Sequence, residues 1–417
     1  MADGSAIYRD GMDLDERVGA LTAGDLAPMV RGALGDDQCW PLTWTSEAPS
    51  WTAFGSCTKG VRRLHGTARL STGGETVWDA VLKVIGAVDI PRHAHPEESF
   101  YWRREALLLG SGLLEQRPGP FVNVRALSVQ EPAADEVWLW LECLDDPTAK
   151  LRWNDEQHAA TAYDLGAFSA QWSAEPPSPG DYPWLARRWL RSWVAFGLSA
   201  GTQHAIDVPS FWEHPLVAGA LPASVRPRFL SQFGEYDDLL TALEDLPVTL
   251  AHHDAQWRNT FQLSGVDARR PGARTVAVDW AFAGLAPVGA DLGHLIACNL
   301  EHWAVQPGEA ARHDESTTAA YLQGLADFGW RGDERAVRFA RAVSASLQIV
   351  PALAAQVSWL HSEPAPMGAA EYSAWPQELA TKHHISVEAV MEGWAAIFGY
   401  LLDVGDEARR LAAVLRV

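Results

Sequence analysis

The period of apolar positions changes along the chain, and the changes divide it. Residues 13–34, DLDERVGALTAGDLAPMVRGAL, carry apolar side chains at helical spacing interrupted by Pro28, which predicts one or two short helices behind a polar tail at 1–12. From about 40 to 90 the pattern turns β-branched and alternating. VRRLHGTARLST and TVWDAVLKVIG read as strands, and Gly73-Gly74 between them signals a hairpin. Before them GSCTKG, residues 55–60, reads as a small-residue loop between two strands. EESFYWRREALLLGSGLL at 97–114 predicts a helix with Phe100, Arg104 and Leu108 on one side. FVNVRALSVQ and the apolar run EVWLWLECL at 136–144 predict strands, the second one buried. These segments together predict a small antiparallel sheet with one helix packed on it.

After about 147 the pattern is mainly helical. TAYDLGAFSAQWSAEPP, 183–200, 226–245 and the stretch from 289 onward all have a helical period. Two short strand-like pieces, PVTLAHHD and RTVAVDW, flank a charged loop, and PPSPG at 176–180 reads as an exposed linker. No repeat of 20–50 residues is visible.

Composition narrows the classes. At 417 residues the chain exceeds one compact core, and 47% hydrophobic with 21% charged residues is ordinary for a globular protein. A net charge of −20 argues against a nucleic-acid partner and suits a cationic small molecule. Cys39, Cys57, Cys143 and Cys298 are scattered without a CxxC pair, which disfavours a disulfide framework and suits a reducing compartment. Cys143 reads as a small buried hydrophobe. The polar N-terminus lacks an apolar signal core, and no run approaches the roughly 18–20 apolar residues of a membrane span. The expectation is a soluble, cytoplasmic protein with no membrane partner. Most of the 20 tryptophans, Trp153, Trp172, Trp184, Trp189 and Trp193 among them, are expected to build helical core.

The chemistry concentrates in AHHDAQWRNTF, residues 251–261. It sets His252, Asp254 and Asn259 in the pattern H-x-D-x-x-x-x-N, and Asp279 follows at the end of the β-branched run VAVDW. A carboxylate that accepts a hydroxyl proton, with an amide and a second carboxylate as hard oxygen donors for Mg²⁺, suits phosphoryl transfer. Lys83, inside a predicted buried strand, requires an anion beside it. His252 reads as a structural residue of the loop, and His93 and His95 as a solvated loop. A zinc hydrolase is disfavoured because His252 and His253 point apart on a strand and no HExxH occurs.

HxDxxxxN followed by a strand ending in Asp-Trp resembles the aminoglycoside phosphotransferase-like kinases. The resemblance covers roughly residues 50–330. It implies a bilobal, protein-kinase-like α+β fold. The parts would be a tail and helical extension at 1–34, a nucleotide-binding lobe at 35–143, and a helical lobe with catalytic loop and acceptor site at 144–417. It implies Asp254 as catalytic base, Asn259 and Asp279 as Mg²⁺ ligands, and Asp291 of GADL as a buttress of the catalytic loop. Lys83 and Glu105 would pair near the phosphates of ATP, Gly55 and Gly60 would let a loop cover them, and Glu142, Cys143 and Leu144 would form an adenine-binding hinge. The chain departs from the family pattern at His253, where most relatives have Gly, and at the bulky Trp257-Arg258. GSCTKG also lacks a full GxGxxG.

The implied activity is ATP- and Mg²⁺-dependent transfer of the γ-phosphate to a hydroxyl of a small molecule, such as an aminoglycoside, sugar or amino alcohol. Two alternatives stay open: a kinase acting on Ser/Thr of a natural-product peptide, and a nucleotide-binding pseudokinase that works through a protein partner.

Overall fold

The computed structural model describes residues 13–49, 57–88, 93–144, 153–198, 209–213, 218, 225–263, 270–360, 377 and 379–415. The N-terminal helices are α1 (Leu14–Gly19) and α2 (Ala23–Leu34), each opened by a capping box, Asp13/Glu16 and Thr22/Asp25. Pro28 lies within α2 and does not divide the pair. The break falls at Thr22, whose side chain caps α2.

A five-stranded sheet follows, in the order β1 (Trp40–Glu47), β2 (Thr58–Arg69), β3 (Glu75–Gly86), β6 (Glu136–Leu141), β5 (Ala126–Ala133). All its pairings are antiparallel. The β2–β3 hairpin turns at the expected glycines, with Gly73 at φ 90°. Alternation along β3 sorts its side chains. Trp78, Ala80, Leu82 and Val84 join the core under α2, whereas Ile85 packs with Ala106 and Leu109 of α3 (Arg104–Ser111). Lys83 shares the parity of Ile85, so it points to the α3 side. β6 is covered on both faces, which is why EVWLWL reads as continuously apolar: Trp138 and Trp140 face α2, and Val137, Leu139 and Leu141 face α3.

Helix α3 is shorter than the pattern at 97–114 suggests. It begins at Arg104, whose fully buried guanidinium gathers backbone carbonyls and folds the preceding segment back on itself. Nε donates to Trp184 O at 2.8 Å. Nη1 donates to Ser99 O and Ala281 O at 2.8 and 2.9 Å, and Nη2 donates to Pro96 O at 2.8 Å and to Glu98 O. All five donors are used.

The remaining strands form two small sheets outside the first. β4 (Phe121–Asn123) runs parallel to β9 (Thr275–Ala277), which pairs antiparallel with β8 (Thr260–Gln262). β7 (Val248–Ala251) pairs with β10 (Gly284–Pro287). PVTLAHHD and RTVAVDW thus belong to different sheets, and FVN leaves the N-terminal sheet for the second one.

Helices dominate the rest: α4 (Asp155–Ser173), α5 (Trp189–Leu198), α6 (Pro209–Glu213), α7 (Arg226–Gly234), α8 (Tyr236–Glu244), α9 (Ala290–Glu301), α10 (Ala310–Asp327), α11 (Glu334–Leu360) and α12 (Val387–Leu415). α4 packs on α10, and α11 packs on both α9 and α12. Trp172, Trp184 and Trp189 lie in this core with Trp280 and Leu292. The architecture is the expected α+β one, a small antiparallel sheet with one helix beside a larger helical body. Among the described residues no helix is long and apolar enough to cross a membrane.

Candidate functional site

Lys83 reaches from the sheet to two carboxylates. Its Nζ lies 2.7 Å from Glu105 Oε2, in the first turn of α3, and 2.7 Å from Asp279 Oδ1, just beyond β9. Burial disfavours the ammonium, but the Asp279 and Glu105 carboxylates outweigh it and raise the pKa of Lys83. Burial raises that of Glu105, and the Lys83 ammonium opposes the shift. Asp279 stands at φ 61°, ψ 61°, in the left-handed region, and is one-third exposed. That unusual backbone turns its carboxylate back toward the sheet.

Asp254 occupies the loop between β7 and β8. Asn259 Nδ2 donates to its Oδ2 at 2.7 Å and to its backbone carbonyl at 3.0 Å, and Gln256 Nε2 donates to Oδ1 at 2.8 Å. Val278 N donates to Asn259 O at 2.8 Å, so the two loops are stitched where Asn259 and Asp279 emerge. Asp291, in the first turn of α9, accepts the N–H groups of His252 and His253 at 2.7 Å each. It buttresses the loop, as the resemblance implied. His252 is structural too. Its Nε2 donates to Val278 O at 2.9 Å, its Nδ1 accepts Asp254 N–H at 3.1 Å, and its ring lies 4.3 Å from Trp280.

His253 has φ 61°, a conformation that glycine adopts without cost. Its ring stacks on Trp189 at 4.8 Å and 13°, and this packing offsets the backbone strain.

His294 was not singled out by sequence. Its Nε2 lies 3.0 Å from Asp254 Oδ1 and 3.4 Å from Cys298 Sγ. Burial opposes the imidazolium, yet Cys298 and the Asp254 carboxylate reverse that and hold its pKa well above the usual value. Burial likewise pushes Asp254 up, and His294, followed by His252 and Gln256, brings it below the usual carboxylate range. The available signal was helical phase: Asp291, His294 and Cys298 fall at i, i+3 and i+7 on one face of α9.

Other expectations met different outcomes. Gly60 is inside β2 and not in a loop. A Cβ there would come 2.3 Å from Leu14 Cδ2, so the Leu14 side chain of α1 packs over this glycine. Gly55 lies outside the described residues. Glu142 N–H donates to Arg125 O at 3.0 Å, and its carboxylate joins Arg125 (3.1 Å) and Arg270 (2.5 Å). Its N–H is therefore engaged within the chain, while Cys143 and Leu144 follow it as half-buried residues. Cys143 is thus less buried than expected. His93 is not solvated: it is 1% exposed, with Nδ1 at 2.9 Å from Cys57 Sγ and its ring stacked on Phe100 at 5.4 Å. His95 is exposed.

The oxygen donors left by these contacts fit Mg²⁺. Asn259 turns its amide nitrogen toward Asp254, which directs the amide oxygen away from it. Lys83 takes Oδ1 of Asp279, leaving Oδ2. Both are hard ligands.

No protein-family model and no curated protein matches the sequence. Among solved structures the chain is similar to an amicoumacin kinase in complex with AMP-PNP and Ca²⁺. Identity is 11%, coverage 81% of this chain and 89% of that one, and the TM-score 0.47. It is similar to a microcompartment-associated aminopropanol kinase at 16% identity, over 92% and 99% of the two chains, with a TM-score of 0.47. A choline/ethanolamine kinase family protein from Mesorhizobium loti gives 17% identity over 84% and 89%, with a TM-score of 0.42.

Proposed function

We propose that this chain is an ATP- and Mg²⁺-dependent kinase that phosphorylates a hydroxyl of a small molecule. The observation that carries the proposal is the convergence of Lys83, Glu105 and Asp279, with Asp254 and Asn259 in the loop stitched to Asp279. In this reading the sheet-bearing part at 35–143 and the helical part at 144–417 enclose the nucleotide, with Cys143 and Leu144 beside the adenine. Lys83, fixed by Glu105, neutralises phosphate oxygens. Asn259 Oδ1 and the Asp279 carboxylate hold Mg²⁺, which when bound neutralises charge on the transferring phosphoryl group. Asp254 orients the acceptor hydroxyl and takes its proton. Asn259 and Gln256 fix the carboxylate rotamer so that little reorganisation is needed.

The set of Lys83, Asp254, Asn259 and Asp279 is complete, which favours turnover over a scaffold role.

The test is an acceptor screen with Mg-ATP on the wild type and on Asp254→Asn. Turnover on a hydroxyl compound should fall by about 10²–10⁴ in the variant, with ATP binding retained. Unchanged turnover would remove Asp254 from the chemistry, and phosphorylation of peptides alone would reject the small-molecule reading.

A further inference from the structure

A second set of metal-binding side chains stands beside the expected Mg²⁺ ligands. Donor atoms of Asp254, His294 and Cys298 all lie within 4.8 Å of one another. His294 Nε2 is the shared vertex, 3.0 Å from Asp254 Oδ1 and 3.4 Å from Cys298 Sγ. Zinc binds nitrogen at about 2.0–2.1 Å, sulfur at about 2.3 Å and carboxylate oxygen at about 2.0–2.2 Å, so tetrahedral neighbours stand roughly 3.2–3.7 Å apart. The two spacings at His294 come within about a few tenths of an ångström of this range, and the Asp254–Cys298 pair, bounded at 4.8 Å, closes further on binding.

The fold explains the arrangement. His294 and Cys298 are i, i+4 on α9 and share a face. Asp254 is set opposite them by a loop that Asp291 of the same helix anchors. Gln348 on α11 donates its amide to Cys298 Sγ at 3.1 Å, which orients the sulfur; burial raises the pKa of the thiol, so a bound cation is needed to hold it as thiolate. His294 and Cys298 are buried, while Asp254 is part-exposed, so an ion enters past Asp254 and its fourth position opens on that side.

The set is also chemically distinct from the Mg²⁺ ligands. Thiolate and imidazole select zinc over magnesium and calcium, whose ligands are oxygens. One feature argues against a permanent ion. His294 Nδ1 is buried with no hydrogen-bond partner among the described residues, whereas resident zinc histidines donate that N–H to an acceptor.

We propose that Asp254, His294 and Cys298 form a reversible inhibitory site for a zinc-class divalent cation. Binding expels the thiol proton of Cys298 and the imidazolium proton of His294. It also occupies the carboxylate that would otherwise take the acceptor's proton. The inhibitory half rests on the kinase reading; the metal site does not.

The experiment titrates Zn²⁺ alone into the nucleotide-free protein against a chromogenic chelator, for the wild type and Cys298→Ala. The same pair is then assayed for turnover in excess Mg²⁺ with added Zn²⁺. Wild type should bind one equivalent with at least about 100-fold higher affinity than the variant. Co²⁺ in its place should give a thiolate charge-transfer band that Cys298→Ala lacks. Zinc should inhibit the wild type and spare the variant. The Co²⁺ spectrum of the wild type decides the site even if Cys298→Ala folds poorly. Equal zinc affinity in both proteins, or no thiolate band, would overturn the site, leaving the three side chains as a hydrogen-bonded network only. Stoichiometric binding without inhibition of an active enzyme would overturn the switch. Failure of the kinase reading would leave the binding arms intact.

Discussion

Lys83 Nζ lies 2.7 Å from Asp279 Oδ1 while holding Glu105 at the same distance, so one buried ammonium joins strand β3, helix α3 and the segment after β9. Lys83→Met leaves the Glu105 carboxylate buried without its cation. The loss should be about 3–5 kcal/mol in denaturant unfolding. Adding Glu105→Leu should restore most of the stability but none of the nucleotide affinity. Recovery of both together would show that Lys83 acts only as a structural tie.

Arg104 is as demanding. Its five donors serve five carbonyls from three separate segments. Arg104→Lys supplies three donors without the planar fork and orphans buried carbonyls, so it should lower unfolding free energy by at least about 3 kcal/mol. A denaturant midpoint within error of wild type would refute this role.

These two neighbours show how far the sequence could be read. Lys83 and Glu105 stand out because a charge in a buried strand needs a partner, and the motif order supplied it. Arg104 has no such mark: in Tyr-Trp-Arg-Arg-Glu either arginine could face water, and only the fold-back of 96–99 decides. Spacing likewise marked Asp254, Asn259 and Asp279. It did not reveal that β7 and β9 lie in separate sheets, since short apolar strands carry no record of their partners. His93 looked solvated because Pro-Arg-His-Ala-His is polar, while its burial depends on Cys57 and Phe100, distant or out of phase in sequence. His294 was hidden because its helix reads as ordinary core.

His253 gives a backbone test. At φ 61° an alanine keeps the strain and loses the stacking on Trp189, whereas a glycine loses the stacking but not the conformational freedom. His253→Gly should be about 1 kcal/mol more stable than His253→Ala in thermal or chemical unfolding. The reverse order would mean that the left-handed conformation is not held in solution.

Acid should destabilise the helical body through His158 and His313, whose rings meet at 4.8 Å between α4 and α10. Burial lowers His158 to about 4, and burial together with His158 and Arg312 lowers His313 to about 3. Both folded values lie below the unfolded value of about 6.5. The stability they confer is therefore complete above about 6.5 and is lost as pH falls through about 4 and then about 3. For His158 the full loss is about 3 kcal/mol. Unfolding free energy measured from pH 7 to pH 4 should fall less steeply in His158→Asn than in wild type, and equal slopes would exclude the pair as the cause.

The most direct measurement is calorimetric titration with ATP, with and without Mg²⁺, on wild type and Asp279→Ala. Binding that requires Mg²⁺ and weakens by about tenfold or more in the variant is the predicted result. No binding of ATP or GTP by the wild type, or binding indifferent to both Mg²⁺ and Asp279, would contradict the assignment of this site to phosphoryl transfer.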